Sequence, residues 1–309
     1  MKKPVLISLI TIVTIIIVTP ALVSKYVESK TKEVFALNDK SIKEIDPSGK
    51  LSYGEISYSL LQNAITVKDV KLKYRTSPNS PFELSVSEIK STPINDNGFI
   101  SPFSNDVIIK ITGGRLEANL TRYAEPSNFE TYLLSGSNQI GFDFTMSNSI
   151  INNEDGYETK SSLYIDRIGE IKLELIANGL LAIKGEERSE SIIKEISLSN
   201  IGLHYESENF SGLMHSILPK HILDTSRESL RKEIEILTRQ LESNINTKGF
   251  SKPVSDAAFA YFNNEELSVS IASSKVIKGD ELMVNMMVAM ENPVLAMSAF
   301  GLTIKTNVK

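Results

Sequence analysis

Hydrophobic and polar positions along this chain change period several times. Residues Pro4 to Ser24 carry no charge, and Val5 to Val18 is almost entirely Ile, Val, Leu and Thr. Such a run, at about 1.5 Å rise per residue, matches a hydrocarbon core of roughly 30 Å and predicts a transmembrane helix. A cleaved signal peptide starts in the same way but has a shorter apolar run and a small-x-small site. Thr19 to Lys25 offers only Leu22 with Ser24, or Ala21 with Val23, at the two critical positions, so an uncleaved anchor is expected. Residues 25–38 are expected to continue that helix into water, with Tyr26, Val27, Val34 and Leu37 near one face. Asn38-Asp39 and then Asp46-Pro47-Ser48-Gly49 are expected to end that helix.

From Gly54 the period becomes two, the mark of half-buried strands. Ile56, Tyr58 and Leu60 alternate with Glu55, Ser57 and Ser59; Ile65 and Val67 follow, then Val70, Leu72 and Tyr74. The slip of phase at Lys68-Asp69 predicts a bulge or turn. Thr112-Gly113-Gly114-Arg115 reads as a hairpin turn between two strands. Further strands are expected at 140–146, 163–165, 171–175 and 196–205, with a turn at 152–156. Short strands of this kind imply a large antiparallel sheet with one wet face.

Helical period returns near Thr225. Thr225-Ser226-Arg227-Glu228 has the form of a capping box. Leu230, Ile234, Leu237 and Leu241 then form one stripe, expected to dock on the sheet, and Glu228 with Lys232 forms an i,i+4 pair. A second helix is expected at 255–262 with Phe259 and Phe262 buried. Leu267, Val269 and Ile271 return to strand period. Asp280 to Met290 predicts a helix ended by Glu291-Asn292-Pro293, and residues 301–308 a last strand.

Composition narrows the chemistry. The chain of 309 residues has 33 Lys and Arg against 38 Asp and Glu, a net charge of -5, with no Cys, no Trp and 3 His. Without Cys there is no disulfide, thiolate zinc site, cysteine nucleophile or lipidated N-terminal Cys. A mildly acidic chain is a poor match to nucleic acid, which is bound by clustered Lys and Arg. His204, His215 and His221 share no ligand spacing, and each reads as satisfied or solvated. No nucleophile elbow, phosphate-binding loop or dinucleotide fingerprint occurs. Asn95-Asp96-Asn97-Gly98 and Glu154-Asp155-Gly156 cluster oxygen atoms without the spacing of a calcium loop, so both read as turns. Glu186-Glu187 and Glu265-Glu266 read as solvated faces.

The one unusual feature is methionine, since five of the eight lie between Met283 and Met297. Thioethers fill core gaps, form adaptable apolar surfaces and, more rarely, bind Cu(I). Met283, Met286, Met287 and Met290 are the candidate ligand contacts, with no catalytic, cofactor or metal residues assigned.

The Lys-initiated apolar segment, the strand Gly54-Glu55-Ile56-Ser57-Tyr58-Ser59-Leu60 and the run from Ala64 to Leu72 resemble the opening of YdgA-like and AsmA-like bacterial envelope proteins. The stretch 196–205, the helix at 225–243 and the ending Phe300 to Asn307 are similar to those of uncharacterised proteobacterial periplasmic proteins. The resemblance implies a long curved sheet and a role in lipid handling, although this chain is far shorter than most AsmA-like proteins. The expected fold class is therefore α+β: an N-terminal transmembrane helix, then a curved, mostly antiparallel β-sheet with helices packed in the C-terminal half. Residues 1–24 read as a membrane anchor, 25–50 as a juxtamembrane helix and linker, and 51–309 as a periplasmic α+β domain. The layout reads as a bacterial inner-membrane protein with its N-terminus cytoplasmic and its bulk periplasmic, meeting the inner membrane through residues 4–24. The expected function is non-enzymatic, the holding of lipid or a lipid-bearing envelope component in an apolar groove. The alternative is an envelope assembly protein that meets another protein through a sheet edge or the 225–243 helix.

Overall fold

The computed structural model describes residues 3–77, 80–92, 107–117, 128–134, 139–151, 156–179, 197–243, 248–273, 275–291 and 299–309, with side chains described at most of these positions from Ser24 onward. The chain forms two compact units, Met1–Asn119 and Leu120–Lys309. Twelve strands occur among the described residues, and their pairings within each unit are antiparallel.

The expected transmembrane helix is corrected by the structure: no helix among the described residues is long and apolar enough to cross a membrane. The segment at 4–24 is the first half of one helix, α1 (Lys3–Ile45), which continues past Lys25 as expected. The second half of α1 carries Lys25, Glu28, Lys30, Lys32 and Glu33 and packs on strands of the first unit. Asn38-Asp39 does not stop it. The Asp39 carboxylate pairs with Lys43 one turn on and accepts from Leu51 N at 2.7 Å, so it supports the helix it was expected to end. Termination comes at Asp46, where Oδ1 accepts from Ser48 N at 3.0 Å and Ser48 Oγ at 2.7 Å, and Oδ2 from Arg75 N at 2.7 Å.

In the first unit the strands run in the order β1 (Lys50–Ser52), β3 (Ala64–Ser77), β4 (Ser80–Thr92) and β5 (Val107–Glu117), with β2 (Ile56–Ser59) also on β3. Their core gathers Ile56, Ile65, Val67, Val70 and Val86 beneath Val27 and Phe35 of α1. The slip read at Asp69 is a backbone kink: Asp69 has φ 53° while the pairs on either side, Lys68 with Glu88 and Val70 with Val86, keep one register. Gly113, at φ 63°, does the same in β5. The glycine pair read as a hairpin turn therefore lies inside one continuous strand, opposite the kink in its neighbours. Row Asp69–Ser87–Gly113 changes the side-chain parity of three strands together, so inward residues before and after it face the same core.

Two predictions arise here. Ser91 is fully buried between Ile65 and Ile109, and its hydroxyl has no hydrogen-bond partner among the described residues. An unsatisfied buried hydroxyl lowers stability, so Ser91→Ala is expected to raise it by about 1 kcal/mol in urea unfolding; a lower midpoint would show that the hydroxyl is satisfied. The second concerns acid. Hydrogen bonds from Ser48 and then Arg75 N hold the Asp46 carboxyl below its ordinary value, and those from Lys43 and Leu51 N do the same for Asp39. A depressed carboxyl adds stability above the unfolded pKa near about 4 that is lost as pH falls through the lower folded value. Amide protection at the α1–β1 junction should fall over that acid range, and less steeply in Asp46→Asn.

In the second unit the order is β6 (Gln139–Ile151), β7 (Gly156–Ile165), β8 (Gly169–Asn178), β9 (Ser197–Ser207), β10 (Leu267–Ser273) and β12 (Leu302–Val308), with β11 (Ile277–Lys278) also on β9. Around it lie α2 (Asn128–Leu134), α3 (Phe210–Ile217), α4 (Lys220–Leu223), α5 (Arg227–Ser243), α6 (Ser251–Asn263) and α7 (Gly279–Glu291). Phe210, Ala260 and Leu267 form the buried cluster under α6, with Met214, Tyr261, Val269 and Val308 against it. The helix read at 225 starts one residue later, because Ser226 Oγ, not Thr225, accepts from Ser229 N at 3.2 Å. Its Glu228–Lys232 pair forms at 2.8 Å. The stripe does not dock on the sheet as expected: α5 has no buried residue and lies chiefly against α6. Phe262 is buried as read, but Phe259 is 54% exposed.

Candidate functional site

Strand register builds the most concave feature of the second unit. One row across five strands is Thr145, Ser162, Lys172, His204 and Ser270, and the next is Ser147, Lys160, Glu174, Gly202 and Ala272. The rows are two residues apart along each strand, so both stand on the same face. Between them lies a trough of about 430 Å³. Gly202 and Ala272 contribute almost no side chain, while Lys160, Lys172, Glu174 and His204 stand beside them. Lys160 pairs with Glu158 at 3.0 Å and Glu174 at 3.4 Å, and Lys172 with Glu170 at 2.8 Å. Those carboxylates raise the Lys160 ammonium above its ordinary value. Lys172 and the Ser162 hydroxyl, which donates at 2.6 Å, hold Glu170 below its own.

His204 Nδ1 lies 2.7 Å from Ser270 Oγ. A serine hydrogen-bonded to an imidazole is two-thirds of a nucleophilic triad. Among the described residues no carboxylate is hydrogen-bonded to the second ring nitrogen. The strand N–H groups beside the pair are engaged in ladder pairing, so they form no oxyanion hole of the kind acyl transfer needs. The contact sets the orientation of the ring within the trough.

The opposite face of the same sheet is apolar. Met146, Leu173, Leu203, Ile271 and Ile304 form one row with Ser161. Phe144, Leu163, Ile171, Tyr205 and Val269 form the next. Helix α6 covers the end of this face near Leu267, Val269 and Val308. The row through Leu203 is less covered: Met146, Leu203, Ile271 and Ile304 are half-buried, and Leu173 is 39% exposed. Tyr205 donates to Ile168 O at 2.8 Å, and burial pushes its phenol up to about 12.

The four candidate methionines all lie on α7, which ends at Glu291 as the sequence predicts. Met287 is 65% exposed, whereas the side chains of Met283, Met286 and Met290 lie outside the described residues. None of the four lines the trough. His215 and His221 are exposed, on α3 and α4. The turns read at 95–98 and 152–155 and the pair Glu186-Glu187 fall outside the described residues. Among those described, no group of three or more His, Asp or Glu is placed to hold a metal ion. Gly202 and Ser270 were missed by sequence reasoning. A signal existed in Gly202, which interrupts the apolar and polar alternation of Ile201-Gly202-Leu203 with a residue poorly suited to strands. No protein-family model matches this chain, and no curated protein sequence matches it.

Proposed function

We propose that the chain is a non-catalytic binding protein that holds a lipid acyl chain against the half-covered apolar face of its second unit. The observation that carries this reading is the row Met146–Ser161–Leu173–Leu203–Ile271–Ile304, apolar at every strand but β7 and buried at none of its apolar members. From β6 to β12, at about 4.8 Å between strands, the row runs roughly 24 Å. One acyl chain spans half of a 30 Å bilayer core, about 15 Å, so the row is long enough to take it. Each methylene removed from water there contributes about 0.8 kcal/mol. The resemblance to YdgA-like and AsmA-like proteins, the latter tied to lipid handling, points the same way.

The test is native mass spectrometry of the full chain, purified without denaturant, with lipid analysis of whatever it releases. A stoichiometric lipid is expected, lost in Leu173→Glu, whose exposed position tolerates the charge. A bare chain mass for the wild type overturns the reading.

A second reading has its own observation. Between α5 and α6 lies a groove of about 400 Å³ in which exposed Phe259 stands beside Arg231 and Arg239. An aromatic flanked by arginines is the composition of protein-interface hot spots. Site-specific crosslinking from position 259 in cells is expected to trap one defined protein on this reading, and diffuse labelling counts against it.

A further inference from the structure

Hairpin tips are normally built from Gly, Asn, Asp and Ser, yet the tip that joins β2 to β3 is Leu60-Leu61-Gln62-Asn63. Asn63 closes it as a turn, at φ 42° and with its N–H donating to Leu60 O at 3.2 Å. Leu61 is 100% exposed and Leu60 45% exposed, so the turn gains little packing from either side chain. Helix α1 passes the same place. Ser24 Oγ donates to Tyr58 O at 3.5 Å, Val27 packs with Ile56, Phe35 meets Tyr53, and Asp39 accepts from Leu51 N. Helix and strands therefore run in opposite directions, and α1 traced back from Ser24 heads past Tyr58 towards the tip. Leu60 lies about 7 Å beyond Tyr58 along the strand, level with the helix about five residues before Ser24. That level falls inside the run from Pro4 to Ser24, which has no charged residue.

We infer that the β2–β3 tip and the uncharged stretch of α1 beside it form one apolar end of the first unit, and that this end dips into a lipid surface. A single exposed leucine needs no explanation, but two adjacent ones continued by an uncharged helical run make a patch of the kind that marks an interaction site. The groups behind the tip favour lipid over a protein partner. Exposed Tyr26 and half-buried Tyr58 stand there, Lys25 is exposed beside Tyr26, and Lys90 Nζ donates to Gln62 Oε1 of the tip at 2.8 Å. Glu28 of α1 accepts from Ser24 Oγ at 2.8 Å, and residues 59–63 carry no charge. Leucines first, then tyrosines and lysines, is the order of groups met on leaving a bilayer from its acyl chains through the interface to the headgroups. Contact of this kind asks no helix to cross the bilayer. It uses no residue of the acyl-binding row in the second unit, so it stands or falls independently of that reading.

The chain has no Cys, so one introduced thiol is a clean reporter. The full chain carrying Leu61→Cys, labelled with an environment-sensitive nitrobenzoxadiazole, is mixed with vesicles of phosphatidylcholine and phosphatidylglycerol, with and without doxyl-labelled lipid. The same label on Ile45→Cys, an exposed position about 30 Å along α1 from Ser24, is the reference. On vesicle binding, the label at position 61 is expected to shift its emission to the blue and to be quenched by the doxyl lipid, and the label at position 45 to do neither. Gln62→Cys, exposed on the same tip, repeats the measurement should the label at 61 disturb the turn. A bound chain whose tip labels stay in water, equal quenching at the tip and at position 45, or a chain that does not bind the vesicles each overturns the inference.

Discussion

Gly169→Ala is expected to destabilise the second unit by about 3–4 kcal/mol, while Gly202→Ala in the neighbouring strand is neutral or stabilising. Gly169 opens β8 at φ 112°, where an added Cβ would fall 2.0 Å from Glu206 O and 2.9 Å from Glu208 N. Both obstacles are backbone, so no rotamer change relieves them, whereas a Cβ on Gly202 would meet Glu174 Cβ at 3.6 Å, an ordinary contact. Positive φ alone costs a residue with a side chain about 1–3 kcal/mol, and the forced separation of β8 from β9 adds to it. The turn just before it has little slack. Arg167 is itself at φ 70°, its N–H donates to Glu208 at 2.7 Å, and its guanidinium donates to Tyr132 O at 2.7 Å. Because two units need not unfold together, the effect should be read in amide protection along β8 and β9 as well as in the urea midpoint. Wild-type protection in Gly169→Ala would show that the close approach is absent.

The contrast between these two glycines also shows what the sequence carries and what it withholds. Alternation revealed nearly every strand of the second unit, because a half-buried sheet writes its two faces into neighbouring positions. It misread Gly113-Gly114, since a turn and a kink both ask for positive φ, and only the kink at Asp69 two strands away tells them apart. It placed the helix of Arg227–Ser243 correctly but sent its apolar stripe to the wrong partner, because periodicity names a face and not what covers it. The trough was illegible for a related reason. Thr145, Ser162, Lys172, His204 and Ser270 are spread over 125 residues, and register alone puts them in one row. The apolar segment at 4–24 is the instructive error. Its hydrophobic length was read as a bilayer crossing; the continuation of the helix beyond Lys25 was legible, but not that it runs on to Ile45 with Val27 and Phe35 held against the first unit's strands.

Phe262→Ala is expected to lose about 4 kcal/mol and to release α5 from the rest of the second unit. Phe262 is 7% exposed at the end of α6 and is the main anchor for a helix that buries nothing of its own. The Arg231 guanidinium lies 4.9 Å from its ring centroid and that of Arg227 5.9 Å, while Arg227 also donates to Phe262 O at 2.9 Å. Tyr261 meets the same ring edge-on at 5.4 Å. Truncating a buried phenylalanine costs about 3–5 kcal/mol, and each exposed cation–π contact adds about 0.5–1 kcal/mol. Phe262→Leu separates the two contributions, since it keeps most of the volume and removes the π face. Phe259→Ala, one turn back but exposed, should stay within about 0.5 kcal/mol of the wild type. Hydrogen exchange along 227–243 reads the release directly. Fast exchange in Phe262→Ala with the strands still protected is the expected pattern; unchanged protection of α5 would mean that the helix is held by contacts other than this ring.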